Sequence, residues 1–212
     1  MNSFTQRTLS ILFLAPLVLL VFWVGGFLLK AFAALVMLIA FYEFFMIAKL
    51  ERQLGVKYGL TAFAALYCVT AFFALVSLKL MTLLWLVLAV WGSDIGGYVF
   101  GKLIGGPKLA PKISPNKTIA GLVGACFVPV VIMEFVLAPH YEIGLVFGIM
   151  IGLIGQCGDI FVSYLKRRVG VKDTGRIIPG HGGVLDRVDA LMLVITVFWL
   201  LTEFKMILWP LI

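Results

Sequence analysis

The chain has 212 residues, 63% of them hydrophobic and 13% charged, with a formal net charge of +7. Soluble domains carry about 25% charged residues to cover their surface, so a mean hydropathy of +1.13 excludes an ordinary soluble fold. The basic excess does not point to nucleic acid either. Lysines and arginines sit in short loops between apolar runs, where they act as orientation signals and contacts for anionic headgroups.

Seven apolar runs are long enough to cross roughly 30 Å of hydrocarbon as helices: Leu9–Leu29, Ala31–Ala48, Gly59–Leu78, Leu80–Phe100, Thr118–Ala138, Ile143–Leu165 and Val188–Leu208. Only Lys30 separates the first two. Apolar sequence continues far beyond a cleavable signal, so the first run is expected to be an uncleaved anchor. Backbone groups in lipid must be satisfied internally. The predicted fold is therefore all-α, a polytopic transmembrane helical bundle of about seven spans. It forms one integral membrane domain over residues 1–212, with the chemistry-bearing motifs in 91–189.

Loop charge sets the orientation. With the N-terminus cytoplasmic, Arg7, Lys49, Arg52, Lys57, Lys102, Lys108, Lys112, Lys117, Lys166, Arg167, Arg168, Lys172, Arg176 and Arg187 lie inside. Only Lys30, Lys79 and Lys205 remain outside, a strong bias under the positive-inside rule.

Gly97, Gly101 and Gly105 recur every fourth residue near the end of the fourth run, and Gly144, Gly148 and Gly152 do so on the sixth. This spacing lets helices approach closely in lipid and is expected to serve packing within the chain rather than a dedicated dimer interface. The oligomeric state stays open, a homo-oligomer included. Cys68, Cys126 and Cys157 lie far apart in apolar segments without a C-x-x-C pair, which argues against a zinc site or a disulfide framework.

A charge at a helix centre costs roughly 2.5–3.5 kcal/mol on insertion scales. Asp94 lies near the cytoplasmic end of the fourth run, Asp159 near that of the sixth, and Asp186 opens the seventh. Each alone can be read as snorkelling or capping, Asp186 as an N-cap after a glycine run. Three at one depth point to a shared polar cavity. Glu134 and Glu203 fall near outer ends and read as snorkelling, whereas Glu43, toward the inner end of the second run, fits either reading.

The loop after the fourth run holds Ser114-Pro115-Asn116-Lys117-Thr118, then Gly121. Pro115 fixes the backbone, and Lys117 and Thr118 are expected at a helix start, whose free N–H groups suit a phosphate. The loop after the sixth run carries more chemistry. Asp159 and Ser163 share a helix face, which Lys166 continues. Arg167, Lys172 and Asp173 follow, and Pro179-Gly180-His181-Gly182-Gly183 leads into Asp186, Arg187 and Asp189, with Asp186 and Asp189 again on one face. The glycines permit close backbone approach or an anion-binding nest. His181 reads better as a phosphate contact than as a base. Carboxylates interleaved with cations around a glycine loop are what metal-bound polyphosphate needs, with oxygen ligands for Mg²⁺. The soluble nucleotide motifs G-x-x-x-x-G-K-[ST] and G-x-G-x-x-G are absent, as is H-E-x-x-H.

The stretch Ser163-x-Leu165-Lys166-Arg167, then Lys172-Asp173-x-Gly175, then Ile178-Pro179-x-His181-Gly182-Gly183-Val184-x-Asp186-Arg187-Val188-Asp189 resembles the signature of phosphatidate cytidylyltransferases (CDP-diglyceride synthases) at every fixed position. Residues 114–118 and 91–101 also look like that family, while the N-terminal part matches only in being hydrophobic. Ala120 and Val162 stand where the family often has Glu, and the chain is shorter than family members, with N-terminal helices expected to be missing.

The resemblance implies transfer of CMP from CTP to phosphatidate, giving CDP-diacylglycerol and pyrophosphate, with Mg²⁺. It implies Asp159 and Asp186 as metal ligands, catalytic together with Lys117, which takes the CTP phosphates beside Ser114, Pro115 and Thr118. Lys166, Arg167, Lys172 and Arg187 would hold lipid phosphate or pyrophosphate. Ser163, His181, Gly182 and Gly183 would touch substrate, and Asp94, Asp173 and Asp189 are further contacts. The implied setting is the bacterial plasma membrane, with the lipid bilayer as partner and the active site facing the cytoplasm, where loop charge independently puts these loops. A CTP-dependent enzyme acting on another lipid phosphate or a polyprenol would differ mainly at the lipid tail, which meets generic apolar helix faces. A transporter would instead carry mid-bilayer charges and an internal repeat, and no repeat is present.

Overall fold

The computed structural model describes residues 16–138, 140–178 and 182–204. Helix α1 covers residues 16–24. It is followed by α2 (Gly26–Lys49), α3 (Leu54–Ser77), α4 (Leu80–Leu103), strands β1 (Lys108–Ala110) and β2 (Ser114–Thr118), then α5 (Ile119–Val136), α6 (Tyr141–Arg168) and α7 (Leu185–Glu203). Expectations for residues 9–15 and Arg7, for Pro179, Gly180 and His181, and for Lys205 and residues 206–208 lie outside the described residues.

The fold class is all-α, and α2 to α6 are each long and apolar enough to cross a membrane. A 24-residue helix such as α2 rises about 36 Å, more than the hydrocarbon thickness. Helix α7 is not among those five, because Asp186, Arg187 and Asp189 crowd its first turns.

Two local expectations change. The break between the first two helices falls at Gly25 rather than Lys30: Gly25 and Gly26 adopt φ of 62° and 53°, a region a residue without Cβ enters at little cost. Lys30 continues α2, since nothing in a lysine stops a helix. The loop after α4 is also not purely irregular. β1 and β2 pair antiparallel with Lys108 opposite Thr118 and Ala110 opposite Ser114. Lys117 therefore lies in a strand, and Thr118 ends that strand and caps α5.

The chain divides into two compact units. One runs to Leu80 and includes Leu165–Val188, and the other comprises Met81–Tyr164 and the chain from Asp189 on. In the first, α2 buries Ala33, Met37, Ala40, Phe44 and Ile47, and α3 buries Ala64, Tyr67, Cys68, Ala71 and Ala74. Alanines at three- and four-residue spacing allow close helix approach, and Phe44 meets Tyr67 edge-on with centroids 6.2 Å apart. Glu43, only 1% exposed, falls on the same buried stripe of α2.

In the second unit, the glycines do the packing. Gly96 and Gly97 of α4 lie against Gly124 and Gly121 of α5, while Gly144, Gly148 and Gly152 of α6 lie against Glu134, Val130 and Cys126 of α5. Gly158 of α6 runs so near α7 that a Cβ there would meet the Asp189 carbonyl at 2.8 Å. Both glycine series serve contacts within the chain. Gly105 is the exception, lying past the end of α4 with nothing around it.

Candidate functional site

In the second unit, the β-hairpin and α6 bring together residues far apart in sequence. The Lys117 ammonium pairs with Asp159 Oδ2 at 2.7 Å and donates to the Gln156 side-chain carbonyl. Ser163 Oγ donates to Asp159 Oδ1 at 3.2 Å, one helical turn away. The hairpin places Lys117 through Thr118, whose hydroxyl accepts from Gly121 N at 3.0 Å and so anchors the strand end onto α5. Thr118 is 4% exposed, so its hydroxyl serves as a helix cap. The Lys117 and Asp159 side chains remain 18% and 35% exposed, so this pair is open to solutes.

In the first unit, a buried pair organises the signature loop. Lys166 Nζ meets Asp186 Oδ1 at 2.7 Å, with side chains 10% and 7% exposed. Asp186 Oδ2 accepts from Thr174 N at 2.9 Å and Gly183 N at 3.0 Å. Burial pushes the Asp186 carboxyl up, but the Lys166 ammonium and the two amides outweigh it and hold it below the ordinary aspartate value. Removing one partner of a buried pair costs about 3–5 kcal/mol because it strands the other charge.

Asp186 is not the N-cap of α7. It sits inside the first turn and reaches back to the loop. The α7 end is capped instead by Glu43 of α2. Glu43 Oε1 accepts from Val184 N at 3.0 Å, and Oε2 accepts from Leu185 N at 2.8 Å and Thr174 Oγ1 at 2.7 Å. A carboxylate at a helix N-terminus meets free amides and the positive dipole end. Burying it unpaired would cost several kcal/mol, and three donors offset that cost. Gly182, at φ 79°, and Gly183 were expected to offer a phosphate a backbone nest. Here the Gly183 amide is already engaged by Asp186.

The other expected residues are spread around these two clusters. Lys172 and Asp173 are exposed and, with Val171, Gly175 and Arg176, line a cavity of about 400 Å³. Arg167 donates to the Val171 carbonyl at 3.0 Å, and Arg187 is exposed on α7. Asp189 is 6% exposed, and its Oδ1 accepts from Ala190 N. Asp94 is exposed on α4, Ser114 opens β2, and Pro115 is exposed within it, where a strand tolerates a missing N–H. Val162 is 1% exposed, which suits an apolar residue.

Sequence reasoning missed Gln156 and Thr174 and left Glu43 undecided. Gln156 stands three residues before Asp159 on α6, a spacing that shares a face. Glu43 carried its own signal, since an ionisable residue inside an apolar helix is by default a functional candidate. Thr174 occupies a variable position of the signature and offered none.

Among the described residues, no three His, Cys, Asp or Glu side chains gather into a group that could hold a metal. The donor chemistry still fits Mg²⁺, which keeps several waters and is usually bound through one or two carboxylates plus substrate phosphates. Asp159 fits best, being part-exposed with one lysine and one hydroxyl as partners. Asp186 has its two oxygens engaged by Lys166, Thr174 and Gly183.

The profile of the family described as "Cytidylyltransferase family" matches residues 56–205. Among similar proteins, a phosphatidate cytidylyltransferase of Staphylococcus saprophyticus is 47% identical over 121 residues, covering 53% of this chain and 45% of the relative. One from Staphylococcus haemolyticus is 46% identical over 129 residues, 58% of this chain and 50% of the relative. One from Brucella suis is 44% identical over 115 residues, 52% and 43% respectively. The matched stretches thus span half or less of each relative's length.

Proposed function

Because this chain belongs to the cytidylyltransferase family, we propose that it transfers CMP from CTP to phosphatidate, yielding CDP-diacylglycerol and pyrophosphate. The observation that carries this reading is the signature over residues 163–189, in which Lys166 pairs with Asp186; upstream of the signature, Lys117 pairs with Asp159.

A phosphate oxygen of the lipid attacks the α-phosphorus of CTP in line. The bond to the bridging oxygen of the β-phosphate breaks, and pyrophosphate leaves with that electron pair. The nucleophile is already anionic, so no strong base is required. The work is to position two highly charged groups and offset their repulsion. Lys117, part-exposed on the hairpin, turns from Asp159 toward the triphosphate, and Ser114 lies on the same strand. Lys172, Arg176 and Arg187 take lipid phosphate or departing pyrophosphate, with Lys166 and Arg167 behind them. Asp159 and Asp186 are the carboxylates that would hold Mg²⁺, which when bound would offset triphosphate charge. Asp94, Asp173, Asp189 and His181 are further contacts in this reading. The chain is an integral membrane protein, and in this reading the chemistry faces the cytoplasm of a bacterial plasma membrane, where CTP is available; the bias of basic residues in the loops supports that side.

The test is to incubate the purified chain with labelled CTP, phosphatidate and Mg²⁺ and to look for lipid-linked CMP. Product is expected, lost in Asp159→Asn and Asp186→Asn and retained in Glu203→Gln. Activity untouched by both aspartate changes refutes their roles. Product formed only with another lipid phosphate or a polyprenol moves the substrate.

A further inference from the structure

Glu43 lies outside the family-matched region, residues 56–205, yet its carboxylate accepts three hydrogen bonds, as many as Asp186 in the signature loop itself. It is 1% exposed on α2. Its three donors come from the loop and the start of α7: the Thr174 hydroxyl and the Val184 and Leu185 amides. The loop is also shaped around it. A Cβ on Gly175 or on Gly183 would run into the Glu43 carboxylate, so two glycines of the signature make room for a side chain from another helix. The bonded groups flank those that hold Asp186, since Thr174 gives its hydroxyl to Glu43 and its amide to Asp186, and Gly183 precedes Val184.

We infer that Glu43 is a positioning residue of the transfer reaction: its buried carboxylate clamps Thr174, Val184 and Leu185 so that Asp186 and Lys166 stand in reactive register. It touches neither substrate nor reacting atoms. The inference rests on the proposed cytidylyltransferase activity for its kinetic consequence, but not for its structural one.

In Glu43→Gln the shape is kept. One amide N–H must then face an NH₂ group, which cannot accept from it. Two measurements on the full chain in detergent decide the matter. Hydrogen exchange read by mass spectrometry over peptides covering residues 173–186 is expected to quicken about tenfold in Glu43→Gln, as expected when a protecting hydrogen bond is lost. Exchange should stay unchanged in Glu51→Gln, a control outside the clamp. Turnover is expected to fall about a hundredfold, the scale of a misplacement near one ångström, while KM for CTP stays within about threefold, as expected for an effect confined to the transition state. Thr174→Val should show a smaller loss, and Thr174→Ser, which keeps the hydroxyl, should recover most of it.

A folded Glu43→Gln protein with wild-type turnover, or with unchanged loop exchange, overturns the inference. If Glu43→Gln fails to fold, equal turnover of Thr174→Val and wild type overturns it instead. Should the wild-type chain make no lipid-linked CMP, the function reading falls, and the exchange measurement alone then decides whether Glu43 holds the loop.

Discussion

The two lysine–aspartate pairs have the same 2.7 Å separation and opposite surroundings. Lys117–Asp159 is part-exposed and held by two neighbouring side chains, Gln156 and Ser163. Lys166–Asp186 is buried and tied to two backbone amides, with Glu43 bonded to the next groups along the loop. A pair of the first kind contributes little to stability, and its lysine is free to exchange onto an arriving phosphate. A pair of the second kind is structural, because its carboxylate organises the chain around it. In the proposed reaction both pairs have a role, and variants should separate activity from stability differently at each.

The largest effect is expected at the buried pair. Asp186→Asn should abolish transfer and also lower unfolding stability by about 3–5 kcal/mol, since Lys166 is left buried and unpaired. Activity assay and thermal unfolding in detergent check both. Adding Lys166→Met to that variant should restore part of the stability and none of the activity, as expected when both members of a buried pair are removed.

Asp159→Asn sharpens the contrast. Transfer should again be lost, but stability should change by no more than about 1 kcal/mol, the range for exposed pairs. A large drop in unfolding temperature here would erase the distinction between the pairs. Lys117→Met is expected to act more mildly, raising KM for CTP by about tenfold, which corresponds to 1.4 kcal/mol of lost phosphate binding. Unchanged KM with a lower kcat would place Lys117 elsewhere in the mechanism.

The smallest effect concerns a third pair, Arg168 with Glu51 at 2.7 Å. The hydrogen bond from Arg168, then that from the Gln53 amide, holds the Glu51 carboxyl below its ordinary value. A depressed carboxyl contributes stability above its unfolded pKa and loses it as pH falls through the folded one. Wild type should therefore exceed Glu51→Gln slightly in unfolding temperature at neutral pH, and the gap should close in acid below the ordinary glutamate range. A gap that widens on acidification breaks this assignment.

The corrections have the same origin as this contrast. The helix break expected at Lys30 falls at Gly25, Lys117 expected at a helix start lies in a strand, and Asp186 reaches back to the loop rather than capping. Local spacing identifies a helix face and says nothing about which distant group fills a terminus. Asp159 with Ser163 was legible because both lie on one helix, one turn apart. Lys117 with Asp159 was legible only as two charges suited to one task, because a hairpin and a helix must fold before they meet.

Composition by itself determined that the chain is all-α and lives in a membrane, because apolar runs of this length leave the backbone no other way to satisfy its hydrogen bonds in lipid. The signature spacing likewise identified the family and the charged residues of the loop. The tertiary structure alone decided what those residues bond to. Glu43 is separated from Thr174, Val184 and Leu185 by more than 130 positions, and no periodicity reaches so far. A buried carboxylate takes whatever donors the packed helices bring to it, and packing is a property of the folded chain.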